Sequence, residues 1–442
     1  MQFSGSVPLC LSDLDWDLHW CDKEWIHDEF DHIHLQPHQR VNHFRNHYEL
    51  TRKDLLVKNM KRAKRQLEKE SRTDEAQSYN VYPTTYVLPM EYSMFVEEFK
   101  KHHNALWIMK PVGKSQGKGI FLFDKLSQIN DWKTVPSFRQ PEGQTQQTAE
   151  AYVVQKYVEN PLLIGGKKFD LRLYALVTSY SPLTVYFYRS GFARFSHTHF
   201  SFDNENLTDI GMHLTNVAVQ KQSEKYDEKS GGKWDVRRMK MYLMSKYGED
   251  KVNQLTTAIE NIIIKSLLSV QKSMINDKHC FELYGYDILI DSNLKPWLLE
   301  VNASPSLTAN TKDDYDLKCG MLDDVLTIVD VEKYLTGNEL QVGGFDLIYK
   351  GGPVSNHPQN AIFRSYLGSM NDRQQQLKKL AKLLAMRAQA SPEAATTATT
   401  SSSAPGSSSG ATSQRRVAAR RAVREDSRDA ASNAAQPAAS KT

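Results

Sequence analysis

The stretch YGYDILIDSNLKPWLLEVNASPSL, residues 284–307, places three oxygen-bearing side chains, Asp287, Glu300 and Asn302, among apolar ones. The runs Ile288–Ile290 and Trp297–Leu299 flank Asp291, Ser292 and Asn293, residues that favour turns, so the pattern predicts a hairpin. Side chains alternate faces along a strand, so Glu300 and Asn302 share one face, and the turn folds Asp287 back beside them. Two carboxylates and an amide oxygen at one pole form a hard-oxygen set of the kind that takes Mg2+, and Mg2+ commonly arrives with nucleotide phosphates. In the plainer reading the acids are solvated at a strand edge or cap the next loop. The apolar flanks weigh against it, because they bury the strand and a buried carboxylate needs a partner.

A second candidate lies far upstream, in KPVGKSQGKGIFLF, residues 110–123. Glycine NH groups approach phosphates closely and lysines neutralise them, so Lys110, Lys114 and Lys118 around Gly113, Gly117 and Gly119 could hold a nucleotide. The spacing is not that of a Walker A loop, which needs G-x-x-x-x-G-K-[ST] before a helix. No H-R-D or D-F-G occurs to make it a protein-kinase loop. Taken alone, the stretch is equally a glycine-rich hairpin with solvated lysines.

The elements that must position these residues can be read from periodicity. TRKDLLVKNMKRAKRQLEKE, residues 51–70, predicts a basic helix with Leu55, Leu56, Met60 and Leu67 on one face. EYSMFVEEFKKH predicts another, and residues 234–275 are mainly helical. DWDLHW, VNHF, AYVVQKYV and FDLRLYALVTSY read as strands, and YPTTYVLP as extended chain. TVYFYRSGFARF, residues 184–195, predicts a hairpin turning near Ser190-Gly191. RQPEGQTQQTAE predicts a mobile surface loop, and residues 372–390 a helix.

In chain order, VNHFRNHYELTRKDLLVKN, WIMKPVGKSQGKGIFLF, YVENPLLIGGKKFDLRLYALV, HLTNVAVQK, GGKW, HCFELYGYDILI and KPWLLEVNASPSL resemble the tubulin-tyrosine-ligase-like family. The resemblance runs over roughly residues 40–310, while the stretch before DWDLHW departs from the family pattern. It implies an α/β (α+β) ATP-grasp fold with N-terminal, central and C-terminal domains and ATP held between two antiparallel sheets. The expected divisions are 1–80, 81–190, 191–350, an extension at 351–390 with a basic helix, and a disordered tail at 391–442. The implied activity joins an amino acid to a carboxylate on tubulin, with ATP and Mg2+ as cofactors. Carried onto this sequence, Lys110 contacts ATP phosphate and Gln116 and Gly117 sit in a lid loop. Gln155, Lys156, Tyr157 and Val158 line the adenine pocket. Lys168, Phe169 and Asp170 contact nucleotide, Arg172 lies by the phosphate path, and Thr215 and Asn216 touch ATP. Asp287, Glu300 and Asn302 hold Mg2+, with Lys110, Arg172 and Glu300 catalytic. Arg194 and Lys233 bind free glutamate, their two cations favouring an acidic amino acid over glycine.

Bulk properties fit that expectation. Charged residues make up 24% and hydrophobic ones 40% of 442, and no run of about 18 apolar residues predicts a membrane span. Four cysteines, Cys10, Cys21, Cys280 and Cys319, form no CxxC and read as reduced thiols in a cytoplasmic protein. From Asn371 onward the chain carries 12 Lys and Arg against 5 Asp and Glu, a surplus of 7, so with +4 overall the remainder is −3. After residue 390 the composition falls to Ala, Ser, Thr, Pro and Gly with arginines, which cannot bury a core. The basic helix and tail are candidates for steering an acidic tubulin tail, beside the plainer reading of solvated charge. Expected partners are tubulin or microtubule C-terminal tails, free glutamate and accessory subunits, with no nucleic acid and no membrane. The resemblance implies a cytoskeletal location, at a basal body or axoneme. A catalytically silent microtubule-binding subunit is the alternative from another class.

Overall fold

The computed structural model describes residues 15–114, 116–129, 151–201, 209–221, 232–354, 365–370 and 372–390. The loop expected at 139–150 and the tail at 391–442 lie outside them. Two compact units divide the chain at Ala381, the second represented by the end of one helix.

In chain order the main elements begin with helix α1 (Lys53–Lys69), strand β1 (Thr85–Leu88) and helix α2 (Tyr92–Lys101). Strands β2 (Trp107–Pro111), β3 (Phe121–Phe123), β4 (Tyr152–Lys156), β5 (Lys167–Tyr180), β6 (Leu183–Tyr188), β7 (Phe192–Phe195) and β8 (Lys233–Asp235) follow. Helices α3 (Val236–Tyr247) and α4 (Glu249–Gln271) precede the strands β9 (Glu282–Ile290) and β10 (Pro296–Asn302). Helix α5 (Lys312–Val329), strands β11 (Gln341–Val342) and β12 (Phe345–Lys350) and helix α6 (Arg373–Ala390) complete the set. The fold is α+β.

The smaller sheet is antiparallel, in the order β1-β4-β2-β3. Phe95 and Phe99, one turn apart on α2, pack on Trp107, Phe123 and Val154, so this sheet has a core of its own. Phe95 meets Trp107 edge-on at 5.1 Å between centroids. The larger sheet has nine strands and is built around β5, whose 14 residues are mostly buried. Along one edge β5 pairs with β9, from Asp170↔Leu289 to Val177↔Glu282. One face of the sheet, through Phe169, Leu171, Leu173 and Tyr286, packs on α3 and α4. At one end the other face, through Tyr174, Leu176 and Leu283, packs on Met321 and Val325 of α5. Strand β5 is thus apolar from Leu173 to Val177, where both of its faces are covered, while over its first half Lys168, Asp170 and Arg172 alternate with the helix-packed Phe169, Leu171 and Leu173. Helix α1 joins the first of these cores through Leu56 and Met60.

The hairpin expected at 184–195 is not formed. Strands β6 and β7 do not pair with each other. Both pair with the opposite edge of β5 in succession, Ala175–Tyr180 with β6 and Phe169–Arg172 with β7. They are one interrupted strand. Gly191 is there for a different reason: an added Cβ would lie 2.5 Å from the carbonyl oxygen of Arg172. A glycine inside a strand pattern marks such close backbone approach as often as a turn. The reversal is at Tyr180–Leu183 instead.

Replacing Gly191 by alanine is expected to lower stability by about 1–3 kcal/mol through overpacking against a carbonyl that cannot move aside. Chemical denaturation would read this as a lower midpoint. A midpoint equal to wild type would mean that β7 shifts freely along β5.

Candidate active site

The hairpin β9–β10 forms as its sequence predicts, with Asp287 opposite Glu300 and Gly285 opposite Asn302. The cross-strand register then extends the row. Phe192, Arg172, Asp287 and Glu300 lie side by side across four strands. In the adjacent row on the same face are Lys233, Arg194, Asp170 and Leu289. Strand period and pairing therefore collect charged side chains from distant parts of the chain onto the end of the face that α5 leaves uncovered.

Most of these charges neutralise one another. Arg194 donates to Asp170 through two nitrogens, at 2.8 and 2.5 Å. Arg172 grips Asp287 the same way, at 2.5 and 3.1 Å, and Arg194 reaches it as well at 2.9 Å. Burial opposes ionisation of Asp287, yet the two guanidiniums hold its carboxyl well below the usual carboxylate range. Asp170, Arg194 and Asp287 are buried, Arg172 is partly so, and all four are paired, the condition under which buried charge is tolerated.

Above this face, between it and the smaller sheet, is a cavity of about 990 Å3 counting its open mouth. The smaller sheet contributes Ile108, Lys110, Gln155 and Lys156 to its wall, and Tyr157 and Val158 continue from β4. The larger sheet contributes Lys168, Asp170, Arg194, Asp287, Leu289, Glu300 and Asn302. Gln116 and Gly117 of the glycine loop, and Thr215 and Asn216, close the sides. The expected residues therefore converge, with three exceptions. The Phe169 ring lies on the opposite face, against Phe195 at 5.3 Å. Arg172 sits behind Asp287, outside the lining, and so does Lys233, whose ammonium is 2.7 Å from Asp314. The glycine loop is seated tightly, since a Cβ on Gly117 would lie 2.6 Å from Val219 Cγ2 at a φ of +79°.

Two lysines face the cavity under strain of desolvation. Burial pulls Lys168 down to about 7, with Asp170 opposing and Lys110 adding to the shift. Its ammonium donates to Tyr157 Oη and the His213 carbonyl, both at 2.8 Å. Burial takes Lys110 to about 8, against the pull of Glu300. Lys110 donates to Gln155 Oε1 at 2.8 Å, and Gln155 in turn donates to Thr85. Asn216 Oδ1 is buried with no hydrogen-bond partner among the described residues, a deficit of about 1–3 kcal/mol that a donor on a bound molecule relieves. Cations in want of an anion and an acceptor in want of a donor suit a nucleotide.

Among the described residues no three His, Cys, Asp or Glu side chains gather into a metal site. The oxygen set available is Asp287, Glu300 and the amide of Asn302. Asn302 Nδ2 donates to the Gly285 carbonyl at 3.3 Å, which leaves Oδ1 as the acceptor. Two carboxylates and an amide oxygen fit Mg2+ by chemistry, although Asp287 must share its oxygens with Arg172 and Arg194.

Sequence reasoning missed Lys53 and His213. Lys53, the first residue of α1, places its ammonium 3.8 Å from Glu300 and donates to the Lys114 carbonyl at 3.3 Å. His213 Nδ1 is 2.9 Å from Tyr157 Oη. Both stand inside motifs already singled out, TRKDLLVKN and HLTNVAVQK, where pattern gave no reason to single them out.

The tubulin-tyrosine ligase family model matches residues 32–336, which include every residue of this cavity. The chain belongs to the tubulin-tyrosine ligase family. A mouse member named probable tubulin polyglutamylase TTLL9 is 50% identical over 408 residues, covering 85% of this chain and 88% of that protein. A Caenorhabditis elegans member named probable tubulin polyglutamylase ttll-9 is 50% identical over 337 residues, 76% of this chain and 78% of that one. A Tetrahymena thermophila member named probable alpha-tubulin polyglutamylase Ttll1 is 48% identical over 356 residues, 76% and 86%. Membership of the tubulin-tyrosine ligase family makes this chain a ligase that forms amide bonds.

The lysine shifts carry a prediction. Near pH 8.5 Lys168 and part of Lys110 are neutral, and a bound polyanion raises their pKa values, so binding must take up protons. Calorimetry with inorganic tripolyphosphate in two buffers of different ionisation heat is expected to show uptake on the order of one proton at about pH 8.5 and little at about pH 6. Identical heats in both buffers at the higher pH would contradict the placement of these lysines.

Proposed function

We propose that the chain is an ATP- and Mg2+-dependent tubulin polyglutamylase with an ATP-grasp architecture, adding glutamate to glutamate carboxylates of tubulin C-terminal tails. The observation that carries this reading is the cavity of about 990 Å3 between two antiparallel sheets. There, phosphate-seeking lysines, Lys110 from the smaller sheet and Lys168 from the larger, face the same space as the oxygen set of the larger sheet, in a chain about half identical to relatives named polyglutamylases. The names of those relatives support tubulin as the substrate, and with it a cytoskeletal location.

In this mechanism a glutamate carboxylate of the tail attacks the γ-phosphorus of ATP, forming an acyl phosphate as ADP leaves. The amine of free glutamate then attacks the acyl carbon. Phosphate departs with the bonding pair, the amine loses a proton to solvent, and an amide remains. Bound by Asp287, Glu300 and Asn302, Mg2+ would supply Lewis-acid neutralisation of phosphate charge. Lys110 and Lys168 hold the phosphates and gain charge as they do so, since their protonation is completed by the anion. Arg172 acts from behind, fixing the Asp287 carboxylate with both nitrogens. Gln155 to Val158, with His213 beside Tyr157, receive the base. The loop containing Gln116 and Gly117 covers the site and excludes water, which would otherwise hydrolyse the acyl phosphate. Arg194 and Lys233 face the amino-acid end, where a second carboxylate distinguishes glutamate from glycine.

Mass spectrometry of microtubules incubated with the purified chain, MgATP and isotope-labelled glutamate is the direct test. Label is expected on tubulin tails with wild type, and at least about 100-fold less with Glu300→Ala. Equal labelling by the two proteins would remove the hairpin from the mechanism. No label from either, with ATP turnover also absent, would favour the silent-subunit reading.

A further inference from the structure

Helix α5 begins with a buried charge cluster that ties it to β8. Asp314 is its third residue and has no exposure at all. Its own N–H is satisfied by the N-cap, Thr311 Oγ1, at 3.2 Å. Its carboxylate turns away from the helix to meet two lysines. Lys233, from β8, donates to Oδ2 at 2.7 Å, and Lys318, one turn along α5, approaches Oδ1 at 2.8 Å. The Asn310 N–H adds a contact to Oδ2 at 3.3 Å. Lys318 is tethered a second time, to the Thr308 carbonyl at 2.5 Å.

Two ammoniums share one carboxylate, so the cluster keeps one unneutralised positive charge. The side-chain exposures say where that charge surfaces: 20% for Lys233, 8% for Lys318 and none for Asp314. Burial opposes ionisation of Asp314, but the hydrogen bond from Lys233 and the ion pair with Lys318 hold the carboxyl below its usual range, so it stays an anion. The Phe192 ring lies beneath both ammoniums, at 5.3 and 6.0 Å. Lys233 is also the cross-strand neighbour of Arg194, which lines the cavity.

We propose that Asp314 is a positioning residue for amino-acid selection: it fixes Lys233 in advance, while Lys318 keeps Asp314 from neutralising it. A free lysine on its four-carbon stem samples many positions, and a ligand that must order it loses affinity. Held on Asp314, Lys233 presents a cation at a set point, and the surplus charge created by Lys318 leaves it attractive to a side-chain carboxylate. The class of substrate favoured is a dicarboxylic amino acid, with glutamine discriminated against. This rests on the assignment of Lys233 to the incoming glutamate.

Steady-state kinetics of the full chain, varying glutamate and ATP separately, test it. Asp314→Asn and Lys318→Met are each expected to raise KM for glutamate about tenfold and leave KM for ATP within about twofold. Asp314→Glu should recover part of the loss. Thr311→Ala weakens the start of α5 without touching a charge, and both KM values are expected to stay put. If Lys233→Gln raises KM for glutamate but Asp314→Asn does not, positioning by Asp314 is wrong while the role of Lys233 stands. If Lys233→Gln has no effect, the assignment of Lys233 fails and this inference with it. If Thr311→Ala reproduces the Asp314→Asn result, the effect is helix stability and the proposal is overturned.

Discussion

Asp287 shared between Arg172 and Arg194 is the contact on which the site depends. A lone carboxylate in the middle of a nine-stranded sheet would give up its proton only at great cost. Two guanidiniums remove that cost, and each is itself on a strand that pairs with β5 or is β5. The ionised state of Asp287 is therefore a consequence of strand register. Slipping β9 by one residue would turn Asp287 into the helix-packed core and Ile288 toward the cavity. The core on each face, tyrosines and aliphatics on one side and the α5 contacts on the other, makes such a slip costly.

The arrangement of charge on this face also separates residues that bind from residues that hold. Asp170 and Arg194 are spent largely on each other, and Arg172 on Asp287. Among the described residues, Lys110 and Lys168 have only neutral hydrogen-bond partners and are short of counter-charge. Attraction for a polyanion thus concentrates on the lysines, while the arginines keep the floor rigid.

Much of the site was legible because the chemistry sits at strand ends with regular period. Asp287, Glu300 and Asn302 could be placed together from alternation and one turn, and the family resemblance brought in Lys110, Gln155 to Val158 and Thr215–Asn216. What escaped was set by contacts between distant segments. Ser190-Gly191 looks like a turn, because local pattern cannot reveal that the glycine accommodates the carbonyl of Arg172, 19 residues earlier. Asp314 in TKDDY reads as ordinary acidic capping of a helix, and its partner Lys233 lies 81 residues away. Lys53 looked like one more cation on a basic helix. The basic stretch was correctly read as helical, but its apolar face said nothing of the residue at its tip.

That tip has a mechanical consequence. Helix α1 delivers Lys53 to the cavity while Leu56 and Met60 are embedded in the core of the larger sheet, so this wall travels with the floor. The opposite wall belongs to a sheet with a separate core of its own. Across the gap, α1 meets it through the half-exposed pair Lys61–Glu91 at 3.0 Å, a bond for which water competes. The two walls of the cavity therefore answer to different cores, and that ion pair is one of the polar ties by which the basic helix spans them.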